Sequence, residues 1–378
     1  FQADNSDSYL LTRFRLGVLL RPASRFNVYA ELQDATAFWR AQPLAPPYQS
    51  TWDLRRAYVD IGNFGQERIS LRAGRQDLDF GNGRLVGTSY WRNASRGYDA
   101  AMMVINVNWL RVNAFAASPV VPGENGFSHH QQGNNLHGVY ASLKRLIPAS
   151  VVEPYVFWRL SPTFNTDPGK PAKLDEKTAG IRASGTAYRL DYDAEAAVQR
   201  GNLETDRIRA WAAILAVTHT FDSLPLQPRL LGGYAFASGD RKPSDGTRGT
   251  FDQIYPNVHD HHGLADQVGW QNLQEARAGI RLSLHRNWTV AVAYGDWWLA
   301  SATDAFYNAY GAIVARDAKG LSGSHIGEEY DAETSYRFNR QLELGAGFGH
   351  LLPGSFLART HHQHAYTYPY LMLNYNFF

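Results

Sequence analysis

Apolar and polar residues trade places at every position through one segment of this chain after another. Leu10, Thr12, Phe14, Leu16, Val18 and Leu20 share one parity, and Arg13, Arg15 and Gly17 take the other. Val28, Ala30 and Leu32 alternate with Asn27, Tyr29, Glu31 and Gln33. Ala57, Val59 and Ile61 alternate with Arg56, Tyr58 and Asp60, and Ile69, Leu71 and Ala73 with Arg68, Ser70 and Arg72. The scheme returns at 190–199, 275–284 and 329–338. It closes the chain with Leu371, Leu373, Tyr375 and Phe377 set against Met372, Asn374 and Asn376, with Phe378 one residue past the pattern. A period of two marks a strand with one apolar face.

The polar face is densely charged in nearly every segment, which argues against a sandwich or a soluble β-helix. Connections near 21–24, 62–66, 106–108, 146–149, 286–287 and 339–341 are short. Those near 39–51, 78–95, 119–133, 163–173, 240–270, 301–326 and 353–365 are long. Alternating segments of about ten residues, with short turns on one side and long loops on the other, are what a bilayer-spanning barrel needs, with lipid outside and water inside. The spacing predicts 17 such strands, from 8–20 to 366–378. An odd count is unusual for a single-chain bacterial barrel. One upward strand before Phe1 would restore 18 and put Phe1 on the extracellular side; the rival is a miscounted strand at Ala305–Ala315. The expectation is all-β: one domain over 1–378 forming a transmembrane antiparallel β-barrel of about 18 strands, with 16 as the alternative. Long loops are expected outside and short turns in the periplasm of a Gram-negative bacterium.

Composition narrows the function classes. Although 44% of the 378 residues are hydrophobic, no uninterrupted apolar run reaches the length of a transmembrane helix. The 21 Tyr and 10 Trp suit interfacial girdles. Cysteine is absent, which excludes disulfides and thiolate chemistry. A net charge of +2 argues against nucleic acid as a partner. Of 37 basic residues, 6 are Lys and the rest Arg, the flat, always-charged fork that binds carboxylates and phosphates. Phe1-Gln-Ala-Asp-Asn has neither a basic start nor an apolar core, so the chain reads as mature or truncated. No Ser/His/Asp arrangement has supporting spacing and no phosphate-binding glycine motif appears, so the reading is not an enzyme, and no cofactor is called for.

Two stretches are more specific. The first is Ala73-Gly-Arg-Gln-Asp-Leu-Asp-Phe-Gly-Asn-Gly-Arg-Leu-Val-Gly87, followed by Trp91, Arg96 and Tyr98-Asp99. The second runs from Tyr234-Ala-Phe-Ala-Ser-Gly-Asp240 through Gly249-Thr-Phe-Asp252, Tyr255-Pro256, His259, Gly263 and Ala265-Asp266 to Gly269-Trp-Gln-Asn272. Both resemble the signatures of the alginate-export porin family. There a Gly-Arg-Gln strand end leads through a Gly-rich loop to a Trp and an Arg-x-aromatic-Asp strand start, and a strand ending in Ser-Gly-Asp opens a long loop. Ser238, Gly239, Asp240, Phe251, Asp252, His259 and Asp266 fall on the second signature. The resemblance implies a monomeric barrel of about 18 strands that passes an anionic polysaccharide through an Arg-rich constriction. This chain departs from a uniformly cationic lumen by its acidic rows: Asp191/Asp193/Glu195, Glu329/Asp331/Glu333, and Glu275 with Glu343.

Candidate pore-lining residues are Arg13, Arg15, Arg25, Arg56, Arg68, Arg72, Arg111, Arg182, Arg277 and Arg281, with Arg75, Arg84 and Arg96 around the first signature loop. They form either a positive ladder for an anionic chain or ion pairs that brace the wall. Asp191, Asp193 and Glu195 are candidate partners for Arg182 or Arg209. The loop at 78–95 either narrows the channel or packs externally through pairs such as Arg84 with Asp77 or Asp79. The histidines His129-His130, His259, His261-His262, His361-His362 and His364 fall in long loops, where six of them (His259, His261, His262, His361, His362, His364) could converge on a metal; solvated polar loops are the plainer reading. The functional expectation is a passive outer-membrane channel for an anionic oligo- or polysaccharide or similar anionic solute, in contact with outer-membrane lipid. A plugged barrel that scaffolds a periplasmic or surface partner is the alternative.

Overall fold

The computed structural model describes residues 6–41, 48–123, 127–165, 171–259 and 261–377. Seventeen long strands account for the alternating segments. They are β1 (Leu10–Ala23), β2 (Phe26–Phe38), β3 (Ser50–Ile61), β4 (Ile69–Gln76), β5 (Tyr98–Val107) and β6 (Leu110–Val121). Next come β7 (Asn135–Lys144), β8 (Ser150–Asn165), β9 (Pro171–Ala187), β10 (Leu190–Leu203), β11 (Asp206–Thr220) and β12 (Arg229–Ala237). The last five are β13 (Leu273–His285), β14 (Trp288–Leu299), β15 (His325–Arg337), β16 (Leu342–Pro353) and β17 (Tyr366–Tyr375). Each pairs antiparallel with the next in sequence, so one continuous ladder runs from β1 to β17. The sheet curls until its ends approach, with the Phe14 ring 6.5 Å from that of Phe377. The fold is an all-β, outer-membrane-type barrel.

The outward parity carries the apolar residues. Leu16, Leu20, Ile61, Val156, Leu371 and Leu373 are all more than half exposed. Left in water, such a band would forfeit about 25 cal/mol for every Å² of apolar surface that burial could remove. Lipid accounts for it. Inward, aromatic rings lie over glycines of the neighbouring strand: a Cβ on Gly17 would stand 2.4 Å from the Tyr29 hydroxyl, so Tyr29 can lie flat only because position 17 has no side chain.

Several expectations need correction. Among the described residues, Ala305–Tyr307 and Ile313–Arg316 pair only with each other, as a small hairpin inside a loop. Ala305–Ala315 is therefore not a wall strand, and the count among the described residues is seventeen rather than sixteen. β1 and β17 both run toward the short-turn rim, and no ladder joins them among the described residues. Phe1 and Phe378 lie outside the described residues. The rule of long upper loops also breaks once: β10 and β11 are joined by the tight turn 204–205, while the lower connection 221–228 is longer.

Three long loops do not stay outside; for 78–95 this is the inward one of its two readings, and for the loops after β12 and β14 it is a correction. Those after β4, β12 and β14 start at the upper rim but turn inward. Leu78, Leu85, Val86, Phe251, Leu264, Val268, Trp270 and Phe306 are buried almost completely. In small barrels wall side chains fill the interior; here much of the filling is loop.

Candidate functional site: the barrel interior

The loop between β4 and β5 is tethered at both strand ends. Arg75 and Asp99 sit directly opposite in register and bond at 2.9 and 3.2 Å. Gln76 is fully buried and donates to the carbonyls of Gly74 and Ala100. The Gly-Arg-Gln and Arg-x-aromatic-Asp signatures are thus the two sides of one strand-end clamp. Gly74 has φ +122°, and a Cβ there would lie 2.3 Å from the Ala57 carbonyl, so only glycine serves. From this clamp the chain drops inward. Phe80 stacks on Phe115 and Tyr140 of the wall, each at 5.0 Å. Asn82 donates to Asp193 at 3.2 Å, and Arg84, only 7% exposed, bonds Glu195 at 2.9 Å.

The second signature folds the loop between β12 and β13 against the first. Val86 and Tyr255 form an isolated parallel bridge, and the Gly87 N–H donates to the Tyr255 carbonyl at 2.9 Å. Arg96 Nη1 donates to three carbonyls across this junction: Gly87 at 3.0 Å, Tyr255 at 2.8 Å and Pro256 at 3.0 Å. Asp252 pairs with Arg159 of β8 and exchanges hydrogen bonds with Gln199 of β10. Phe251 meets Trp270 edge-on at 5.3 Å. Ser238 accepts from the Trp211 N–H and donates to the Gly249 carbonyl. A Cβ on Gly239 would overlap Asn272 Oδ1 at 1.8 Å. The third loop joins through the fully buried Asp304, whose carboxylate accepts from Asp240 N–H, Thr250 Oγ1, Tyr307 OH and Arg316. Burial and the nearby Asp304 charge raise the carboxyl pKa of Asp240. The signature residues are loop clamps.

The acidic rows receive these loops. Glu329 accepts the Ala265 N–H, Asp331 faces the Leu264 N–H, and Glu275 bonds His262 at 2.6 Å. Glu195 takes Arg84 and Tyr155, Asp193 takes Arg182 and Asn82, and Asp191 takes Arg229. Glu343 does not belong with Glu275: it lies at the lower rim beside Arg337.

The nominated arginines divide. Arg56 pairs with Glu31 and Asp77, Arg72 with Asp60, Arg75 with Asp99, Arg84 with Glu195, Arg182 with Glu153 and Asp193, and Arg277 with Asp331. Arg13, Arg15, Arg96, Arg111 and Arg281 have no recorded carboxylate partner among the described residues. Arg13 donates to the Tyr90 and Arg92 carbonyls, and Arg15 to Gln33 and Ser95, so β1 also grips the first loop. Arg25 sits in the lower turn on Glu67, and Arg68 is exposed just before β4. Two expected pairings fail. Asp77 goes to Arg55 and Arg56 and Asp79 to Thr88 and Tyr90, not to Arg84. Arg209 points out of the barrel, on the parity of Trp211.

Arg55 is the residue the alternation hides. Glu31 faces Arg56 and Leu32 faces Leu54, so Arg55 is the extra residue of a bulge. Strict period two would turn it outward; instead it is 2% exposed and bonds Asp77, Ser95 and the Arg96 carbonyl.

Beneath the loops a cavity of about 350 Å³ opens against β11 to β15. Arg84, His261 and Leu264 line its loop side, and Arg229, Arg277, Arg281, Asp331 and Glu333 line its wall. Burial, with Arg84, His262, Arg277 and His259 nearby, pushes the His261 pKa well down. The histidines do not converge. His259 stacks on Trp91 at 3.9 Å and bonds Asp266, His262 bonds Glu275 and the Thr360 carbonyl faces His362, while His129, His130, His361 and His364 are exposed. Among the described residues no group of three His, Asp or Glu is placed to hold a metal.

A protein-family profile described as alginate export matches residues 1–369. No curated protein matches the sequence. Solved Occ outer-membrane porins superpose along almost the whole chain. Pseudomonas aeruginosa OccD3 (OpdP) does so with a TM-score of 0.62 at 10% identity, covering 99% of this chain and 88% of its own. Acinetobacter baumannii OccAB3 gives 0.62 at 10%, covering 98% and 92%. Pseudomonas aeruginosa OccK3 (OpdO) gives 0.60 at 13%, covering 98% and 93%. At such identities the likeness is one of fold.

Proposed function

This chain belongs to the alginate export family, and from that premise we propose that it is a monomeric channel passing an anionic solute, of the class of a uronate oligosaccharide, by passive diffusion. That it is an outer-membrane channel of a Gram-negative bacterium follows from the family and the fold. The observation that supports the anionic cargo is the asymmetry of pairing inside. Most acidic lumen residues are engaged by arginines, a histidine or loop N–H groups, and Glu333 by the Tyr370 hydroxyl, whereas Arg13, Arg15, Arg111 and Arg281 have no recorded carboxylate among the described residues. In a low-dielectric conduit such residual positive charge concentrates anions. The inward loops set the constriction, and Arg84 and Arg96 act there by holding the loops.

Reversal potentials across planar bilayers in a potassium chloride gradient test this. The wild type is expected to favour chloride, and Arg111→Gln with Arg281→Gln to reduce that preference. Millimolar uronate oligomers should block the current while a neutral oligosaccharide of equal length should not. A cation-selective wild type overturns the reading. A second reading, a plugged barrel that scaffolds a partner, is favoured by the extent to which three loops knit across the interior, and absence of conductance would select it.

A further inference from the structure

On the outside of the wall, close to the upper rim, the register lines up a row that transport does not use. Lys177 of β9 lies opposite Arg200 of β10, and Arg200 lies opposite Arg209 of β11. On the other side Lys177 faces Trp158 of β8, which in turn faces His137 of β7. All three cations are exposed. The next row down on the same face is Ala179, Val198 and Trp211, and the row above holds Asp175, Asn202 and Arg207. Charge therefore stops at a sharp horizontal line, with an apolar band below it and Trp158 and Trp211 at the boundary. Indole rings at such a line mark the level of lipid headgroups.

Like charges directly opposite on paired strands repel, since their Cβ atoms stand only about 5 Å apart. Lys177 is partly relieved by Asp175 on its own strand, at 3.1 Å. For Arg200 and Arg209 no ion pair is recorded among the described residues; Arg200 donates only to the carbonyl of its neighbour Gln199. Two guanidinium forks at this spacing on a membrane-facing surface can close on one tetrahedral anion. Arginine on the lipid face is costly at mid-bilayer and tolerated at the interface, which suits its place here.

We propose that Arg200 and Arg209, with Lys177 beside them, form a binding site for the phosphorylated headgroup of an outer-leaflet glycolipid, whose acyl chains lie down the apolar face past Val198 and Trp211. Lys173 and Arg207, exposed nearer the rim, extend the positive surface toward the sugar. The site rests on the outer-membrane placement alone, so it stands or falls independently of the cargo.

Native mass spectrometry of the detergent-purified full chain, titrated with diphosphorylated lipid A and with its dephosphorylated counterpart, provides the test. The wild type should bind the phosphorylated lipid at least tenfold more tightly. Arg200→Gln/Arg209→Gln should lose at least that factor, since two charge-assisted contacts are removed, while Arg200→Lys/Arg209→Lys should keep most of it. Equal binding of the two lipids by the wild type overturns the proposal without any variant. So does undiminished binding by a folded double Gln variant, or complete displacement of lipid by millimolar inorganic phosphate, which would mark a site for free anion.

Discussion

Replacing Arg96 by Met keeps most of the side-chain volume and removes every donor. Nη1 carries two protons and faces three carbonyls at 2.8–3.0 Å, so two full bonds, one of them shared, are lost. Bonds to a charged group contribute about 1.5–3 kcal/mol each. The carbonyls of Gly87, Tyr255 and Pro256 are then left to find other partners in a packed junction. The expected loss is about 3 kcal/mol of docking free energy between the two signature loops, taking the low end for each bond. The amides that cross the junction report it: Gly87 to the Tyr255 carbonyl, Tyr255 to Leu85, and Asn257 to Gly83. Where exchange follows the opening equilibrium, 3 kcal/mol is on the order of 150-fold faster hydrogen exchange at these amides. Wall amides of β9 and β10 should be unchanged, because among the described residues Arg96 makes no recorded contact there. Hydrogen-exchange mass spectrometry on the detergent-solubilised barrel resolves both sets. Junction amides that exchange within about twofold of wild type would show that Arg96 does not hold the loops.

Three further outcomes are expected. His261 is buried with a lowered pKa, so the undocked loop binds a proton that the docked loop refuses; docking is fully stable above about pH 6.5 and weakens as pH falls below it. Protection of the junction amides, corrected for the intrinsic slowing of amide exchange in acid, should fall from pH 7 to pH 5, and His261→Phe should flatten that slope. Gly239→Ala drives a Cβ into Asn272 Oδ1 and should cost the second loop about 2–4 kcal/mol, visible as proteolytic cleavage within 240–270 while the wall survives. Asp304→Ala strands the donors of Thr250, Tyr307 and Arg316 and should cost about 3–5 kcal/mol, raising the noise or conductance of single channels as the third loop loosens.

The wall was legible because a lipid-facing strand must obey period two along its length. All seventeen expected strands coincide with observed ones to within a few residues. Arg55 was not legible, since a one-residue bulge resets parity and leaves no mark in composition. An inward course was legible as one of two readings of the loop at 78–95, and not for the loops after β12 and β14, although all three carry a signal for it. Phe80, Leu85, Val86, Phe251, Ile254, Leu264 and Trp270 are too apolar for loops in water, and the acidic rows on the facing strands gave them somewhere to dock. Alternation says which face a residue takes but not what lies opposite it across the lumen. Pairings such as Arg84 with Glu195 therefore lay beyond it.

The contacts of Arg84 and Arg96 also set an order of assembly. Every wall strand pairs with its sequence neighbour, so the ladder can grow one hairpin at a time with little chain entropy lost at each step. The interior obeys different arithmetic: Arg84 waits 111 residues for Glu195, and Arg96 waits 160 for Pro256. The first loop lies early in the chain and has no complete partner until the segment beyond β12 has joined the barrel. The maturing barrel therefore holds a wet, unlocked interior while its wall forms, and docking of the loops is a late event, separable in time from insertion.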